Sequence, residues 1–168
     1  MTKRITLYSI FIALGLALSV LESLVPVQLL VPLPGIKLGI ANIITLLALS
    51  LFGFNSALII LVLRCILASA LFGSLTSFLF SICGGVLAIT IMTVLFKKCK
   101  MVSFIGISIA GAAAHNTGQI FAAAIAMKSF YIFAYLPILL IASIITGGII
   151  GLVLTIIFDR IKKIIKAP

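Results

Sequence analysis

A few ionisable and amide side chains lie inside long apolar stretches of this sequence. They are Glu22, Lys37, Asn42, Arg64, His115, Asn116 and Gln119. Polar groups in a membrane-spanning segment are costly and need partners, so each one marks a functional site by default. His115 and Gln119 are four residues apart and Asn116 and Gln119 are three apart, which brings them towards one helix face. We therefore predict that this set binds a polar ligand.

Each of these residues also has a structural interpretation. Arg64 could pair with Glu22 or with carbonyls at a helix end, and Lys37 could extend its ammonium group to the membrane interface. A single histidine in a helix often bonds a backbone carbonyl. Both interpretations stay open, with ligand binding favoured for Arg64 and for the polar run from Ala114 to Gln119.

The sequence offers little for catalysis. Its two acidic residues, Glu22 and Asp159, lie far apart, so it lacks paired carboxylates for acid–base chemistry or magnesium binding. It contains no glycine-rich phosphate loop with a lysine and a hydroxyl, and no serine or cysteine beside a recognisable base. Cys65, Cys83 and Cys99 do not have metal-ligand spacing. We expect no enzyme activity, no bound metal and no cofactor in this chain.

The composition indicates a membrane protein. Of 168 residues, 64% are hydrophobic and 8% are charged, whereas a soluble domain has roughly 25% charged residues. Several apolar runs reach the length of about 20 residues that crosses a bilayer. We predict an all-α integral membrane protein, with one transmembrane domain over residues 1–168. Its six helices are expected at about 5–25, 37–53, 55–73, 75–96, 102–127 and 130–158.

A proline-rich apolar segment at residues 26–35 separates the first two predicted helices. Three prolines and a glycine interrupt a helix, since proline removes a backbone donor and clashes with the preceding turn. Because the segment is apolar, we expect it to pack over the protein.

The net charge of +10 comes mainly from three clusters that flank apolar runs. They are Lys3 and Arg4; Lys97, Lys98 and Lys100; and Arg160, Lys162, Lys163 and Lys166. Such clusters follow the positive-inside rule, whereas nucleic-acid binding needs a basic face mixed with aromatic and polar groups. Six crossings place all three clusters and both termini in the cytoplasm. The candidate site residues then lie in the outer half and the middle of the membrane.

Two alanines on the first helix have the spacing that lets helices approach closely in lipid. Ala13 and Ala17 are four residues apart, and packing within the chain is the simplest interpretation. Together with six helices, cytoplasmic ends and an apolar proline-rich first loop, this motif resembles the substrate-binding S components of energy-coupling factor (ECF) transporters. In that family an Ala-x-x-x-Ala motif helps dock the transmembrane coupling subunit, which implies the same role for Ala13 and Ala17.

Three segments of the sequence resemble one particular group within this family. Residues 34–42, Arg64–Leu67 and Ala114–Gln119 are similar to the "Gx transporter" group, often labelled heptaprenyl diphosphate synthase component I. The resemblance implies a multi-pass subunit of the bacterial cell membrane for micronutrient uptake. It would capture a small, anionic or polar-headed metabolite, vitamin-like or related to isoprenoids or quinones, from outside. A coupling subunit and ATPases on separate chains would use the ATP.

Two other functional classes stay open. One is a non-catalytic membrane accessory subunit of polyprenyl diphosphate synthesis, which would fit the group's label. The other is a stand-alone channel or secondary transporter.

Overall fold

The computed structural model describes residues 2–24, 35–99 and 101–166, with side chains described at 4–24, 35–99 and 101–164. Within these ranges the fold is all-α, as predicted, with six α-helices, one 3₁₀ helix and no strands. The helices are α1 (Thr2–Ser23), α2 (Asn42–Phe52), α3 (Phe54–Phe72), α4 (Leu75–Lys98), α5 (Phe104–Ala126) and α6 (Leu136–Lys166), with the 3₁₀ helix at Phe130–Tyr135. The proline-rich segment expected to pack over the protein lies almost wholly outside the described residues.

Four helical segments are long and apolar enough to cross a membrane, judged by length and composition. They are Arg4–Ser23, Phe54–Phe72, Leu75–Lys98 and Phe130–Ile164. α2 has only 11 residues, and α5, which contains the polar run around His115, is not among these four segments. The chain is therefore a helical membrane protein, while the count of six crossings stays a prediction.

The second helix begins later than predicted. The sequence suggested a helix over residues 37–53, but residues 35–41 are non-helical and α2 begins at Asn42. Gly35 and Gly39 have φ angles of 93° and 86°, in the left-handed region that favours glycine. Lys37 therefore lies outside a helix, in the segment Gly35–Ala41, which we call the pre-α2 segment.

The last helix also differs from its predicted range of 130–158. Its first six residues form the 3₁₀ helix, and α6 then continues to Lys166. The prediction stopped where the apolar run stops, but lysine and arginine are good helix formers and continue the helix beyond it.

α5 lies between α4 and α6, and glycines let the three backbones approach closely. A Cβ atom built on Gly118 of α5 would lie 2.8 Å from the Gly84 Cα atom of α4. A Cβ atom built on Gly147 of α6 would lie 2.5 Å from the Ile109 Cα atom of α5. This packing places the polar run of α5 inside the bundle.

One end of the bundle carries the described basic residues of all three clusters. Tyr8 of α1 donates a hydrogen bond to Ser56 of α3 at 2.5 Å, and Phe104 and Phe158 pack with ring centroids 4.9 Å apart. Tyr8, Phe104 and Phe158 all pack against one hydrophobic cluster, which brings together the start of α1, the start of α5 and the later part of α6. We call this the basic end; its residues include Arg4, Lys97, Lys98, Arg160, Lys162 and Lys163. Its cytoplasmic placement stays a prediction.

Candidate functional site

Gln119 of α5 binds the main chain of the pre-α2 segment. Its Oε1 atom accepts a hydrogen bond from the Lys37 N–H at 2.9 Å, and its Nε2 atom donates to the Lys37 carbonyl at 2.7 Å. The side-chain amide therefore takes the place of a second peptide group. Non-helical backbone is tolerated at membrane depth where the protein supplies its hydrogen bonds, and Gln119 supplies two of them.

Glu22 of α1 supports the same segment further along. Its Oε1 atom accepts hydrogen bonds from the Gly39 N–H and, at 3.0 Å, from the Ile40 N–H. These amides immediately precede α2, where a negative charge is favoured by the helix dipole and by unpaired N–H groups. Glu22 is buried, with 2% of its surface exposed. At least part of its role is structural.

Asn116 joins α5 to α6. Its Nδ2 atom donates to the Leu139 carbonyl at 3.1 Å and to the Ser143 hydroxyl at 2.8 Å. Its Oδ1 atom accepts from Gln119 Nε2 at 3.1 Å. Asn116 and Gln119 are both fully buried. The sequence predicted that both bind the ligand, but their side-chain groups already form hydrogen bonds within the protein.

Asn42 and His115 meet on the inner side of the pre-α2 segment. A Cβ atom built on Gly39 would lie 2.9 Å from Asn42 Nδ2 and 3.1 Å from His115 Cδ2. The buried His115 Nδ1 atom interacts with the Gly84 backbone of α4. Both amide atoms of Asn42 are buried without a described hydrogen-bond partner, as is the Ser81 hydroxyl of α4. Such atoms are rare in folded proteins, because an unpaired buried polar group costs about 1–3 kcal/mol.

Arg64 of α3 is buried against α1. Its Nη1 atom donates to the Ser19 hydroxyl at 3.0 Å, and a Cβ atom built on Gly15 would lie 2.5 Å from its Cδ atom. Its Nε atom has no described partner. Since Arg64 and Glu22 bind different groups within the described residues, the structure does not show the ion pair between them that the sequence left open.

A cavity of about 350 Å³ opens beside the pre-α2 segment, at the end of the bundle opposite the basic end. It lies between the end of α1, the end of α3 and the start of α4. Its lining residues are Glu22, Ser23, Gly35, Ile36, Lys37, Phe72, Gly73, Ser74 and Ser77. Two predicted site residues, Glu22 and Lys37, therefore face one cavity. Gly39, in the same segment as Lys37, lies against Asn42 and His115.

Comparison with protein families identifies the chain. The model of the family described as heptaprenyl diphosphate synthase component I matches residues 11–157. The chain belongs to this family. No curated protein and no solved structure matches it. The matched range contains all seven candidate ligand-binding residues and both alanines of the proposed docking motif.

In this chain, the two alanines lie on the outside of the described bundle. Phe11, Gly15 and Ser19 face inwards along α1, whereas Ala13 and Ala17 are exposed. Within the described residues, this pair does not pack against another helix of the same chain. Their exposure leaves them free to contact a second protein.

Two serines of α4 belong to the region but were missed by the sequence reasoning. Ser77 lines the cavity, and Ser81 is one of the buried unpaired groups. Neither carries a charge, and serine is common in apolar helices, so composition does not single them out. Their spacing of four residues, continued by Gly84 on the same face, was the available signal. The chain thus combines a cavity lined by polar residues with a buried polar cluster, and both suit the binding of a small molecule.

Proposed function

We propose that this chain is the substrate-binding membrane subunit of an ECF-type importer and binds a small polar-headed metabolite inside its helix bundle. The observation that carries the proposal is the group of buried polar atoms without described partners on Asn42 and Arg64. Each unpaired group lowers the stability of the empty protein, and a ligand that pairs with it recovers that free energy. Both residues belong to the set that the sequence marked as a binding site.

The form of the site supports binding from one side. The cavity opens at the end away from the basic end, and its volume of about 350 Å³ suits a small metabolite. The pre-α2 segment borders both parts of the site: Gly35, Ile36 and Lys37 line the cavity, and Gly39 lies against Asn42 and His115. In membrane transporters, non-helical backbone and helix ends at membrane depth can face a ligand.

Transport would also need a partner that supplies energy. The chain has no phosphate-binding loop, so ATP would be hydrolysed by separate ATPase subunits. Ala13 and Ala17 form a small, exposed surface on α1 that lets another helix approach closely. We assign this surface to the coupling subunit. The proposal places the basic end in the cytoplasm of a bacterial cell and the cavity outside.

A second candidate function is favoured by the printed description of the family, which names a component of heptaprenyl diphosphate synthase. In that case the chain would be a membrane accessory subunit beside a separate catalytic chain. It would not itself hold the magnesium diphosphate of a prenyl substrate, because its only acidic residues are Glu22 and Asp159.

Affinity purification from native membranes separates these functions. The tagged chain is solubilised in mild detergent, and its protein partners and small molecules are identified by mass spectrometry. ECF ATPases and a coupling subunit together with a retained metabolite support the importer. A prenyl synthase subunit without ATPases supports the accessory role and contradicts the importer. Substrate uptake by vesicles that contain only this chain indicates a stand-alone transporter instead.

A further inference from the structure

The cavity beside the pre-α2 segment is lined by side chains of opposite charge. Glu22 reaches it from the end of α1, and Lys37 reaches it from the pre-α2 segment. Within the described residues these two side chains form no ion pair with each other. A cavity that presents one formal negative and one formal positive group without joining them is suited to a ligand that carries both charges.

The carboxylate of Glu22 is only partly used by the protein. One oxygen, Oε1, accepts both described hydrogen bonds from the main chain, at Gly39 and Ile40. The other oxygen accepts from no described donor. A carboxylate has about four acceptor sites, so Glu22 can hold the pre-α2 segment and still bind a cationic group in the cavity.

The start of α4, which also lines the cavity, offers a group for an anion. Ser77 of α4 is more than nine-tenths buried, with 8% of its surface exposed, and its hydroxyl has no described partner although the residue lines the cavity. It lies in the first turn of α4, where the helix dipole favours negative charge. Ser74 caps this helix by accepting from the Ser77 N–H at 3.2 Å, so the Ser77 hydroxyl is not needed for capping.

We propose that this cavity binds a small zwitterion, with its cationic group at Glu22 and its anionic group at Lys37 and Ser77. This ligand class rests on the binding function proposed above. A ligand with only an anionic group would bring a second negative charge close to Glu22. A ligand with only a cationic group would bring a second positive charge close to Lys37. A zwitterion pairs with both residues.

The experiment measures what the purified chain retains and how charge-neutral variants change it. Wild-type protein in detergent is heated, and the released small molecules are analysed in positive-ion and negative-ion mode. We expect a compound with both a basic nitrogen and an acidic group. Lys37→Gln and Glu22→Gln should each release about tenfold less of that compound per mole of protein, the effect of losing one charge-assisted contact. Ser77→Ala should release less than wild type, and Lys128→Gln, outside the cavity, should match wild type.

The variants are chosen so that loss of folding is not mistaken for loss of binding. Glu22→Gln keeps a side-chain oxygen for the Gly39 and Ile40 amides, and gel filtration with thermal unfolding verifies each preparation. A retained compound with a single charge sign, or none, overturns the ligand class while leaving the binding function intact. If folded Lys37→Gln and Glu22→Gln proteins retain as much zwitterion as wild type, the proposed placement of its two charged groups is wrong. If wild type releases no more small molecule than an unrelated membrane protein with the same tag, both proposals are wrong.

Discussion

Gln119 and Lys37 are joined by two hydrogen bonds between a side-chain amide and a main-chain peptide unit. The Lys37 N–H donates to Gln119 Oε1 at 2.9 Å, and Gln119 Nε2 donates to the Lys37 carbonyl at 2.7 Å. The two residues are 82 positions apart in the sequence. This pair fixes the non-helical backbone in front of α2 to the centre of the bundle, so the cavity wall depends on α5.

Replacing Gln119 should therefore lower the stability of the protein. Gln119→Leu leaves the two main-chain groups of Lys37 without these partners, and we expect the free energy of unfolding to fall by about 1–3 kcal/mol. Thermal unfolding in detergent, followed by circular dichroism, measures this change. The matched control is Thr117→Ala on the same helix, because within the described residues Thr117 bonds only the Ala113 carbonyl of its own helix. Equal stability of Gln119→Leu and the control would contradict the structural role.

Glu22 allows charge and hydrogen bonding to be separated. Glu22→Leu removes the acceptor for the Gly39 and Ile40 amides, and we expect a loss of about 1–3 kcal/mol in the free energy of unfolding. Glu22→Gln keeps an acceptor oxygen, so its loss should be clearly smaller. The same unfolding assay compares the two variants. If Glu22→Gln were as unstable as Glu22→Leu, the carboxylate charge rather than its hydrogen bonds would support the segment.

Most of the helices could be predicted from the sequence, because each is an apolar run with a distinct break. The lysines after Phe96 and the glycine at position 53 are such breaks. The start of α2 could not be predicted, since residues 35–41 are as apolar as a helix. What keeps them non-helical is tertiary: Glu22 and Gln119 satisfy their main-chain groups from distant parts of the chain.

The membership of the candidate site stays a prediction, and the structure adds which of its residues lie together. Asn42 and His115 meet beside Gly39. Asn116 has the same signal in the sequence, yet the structure shows it bonded to Leu139 and Ser143. Sequence alone cannot separate these cases, because the partners are set by how α5 packs against its neighbours.

The two faces of α1 should respond differently to bulky substitutions. Ala13 and Ala17 are exposed, so replacing both by leucine should leave the fold intact but prevent association with the proposed coupling subunit. Gly15→Leu should instead destabilise the protein, because even a Cβ atom there lies 2.5 Å from Arg64 Cδ. Copurification of the coupling subunit and thermal unfolding provide the two measurements. If the double leucine variant still copurified with the coupling subunit, the docking role of Ala13 and Ala17 would be wrong.

The buried polar side chains of Arg64 and His115 should contribute directly to ligand binding. Arg64→Ala and His115→Ala are each expected to weaken binding of the metabolite retained by the wild type by about 1–3 kcal/mol. Isothermal titration with that compound, once identified, measures the change. Lys97→Ala and Lys162→Ala, at the basic end, serve as controls and should bind with wild-type affinity. Folded Arg64 and His115 variants that also keep wild-type affinity would show that the site lies elsewhere.

Cys99 allows the orientation in the membrane to be tested with a residue the protein already has. It is exposed and lies beside Lys98 at the basic end, which we predict to be cytoplasmic because basic residues are retained on that side. With Cys65 and Cys83 replaced by alanine, Cys99 should resist a membrane-impermeant maleimide in intact cells and react after permeabilisation. A matched variant with its only cysteine at Lys128, near the opposite end, should react in intact cells. Labelling of Cys99 from outside would reverse the orientation and place the cavity towards the cytoplasm, which would contradict capture of an external metabolite.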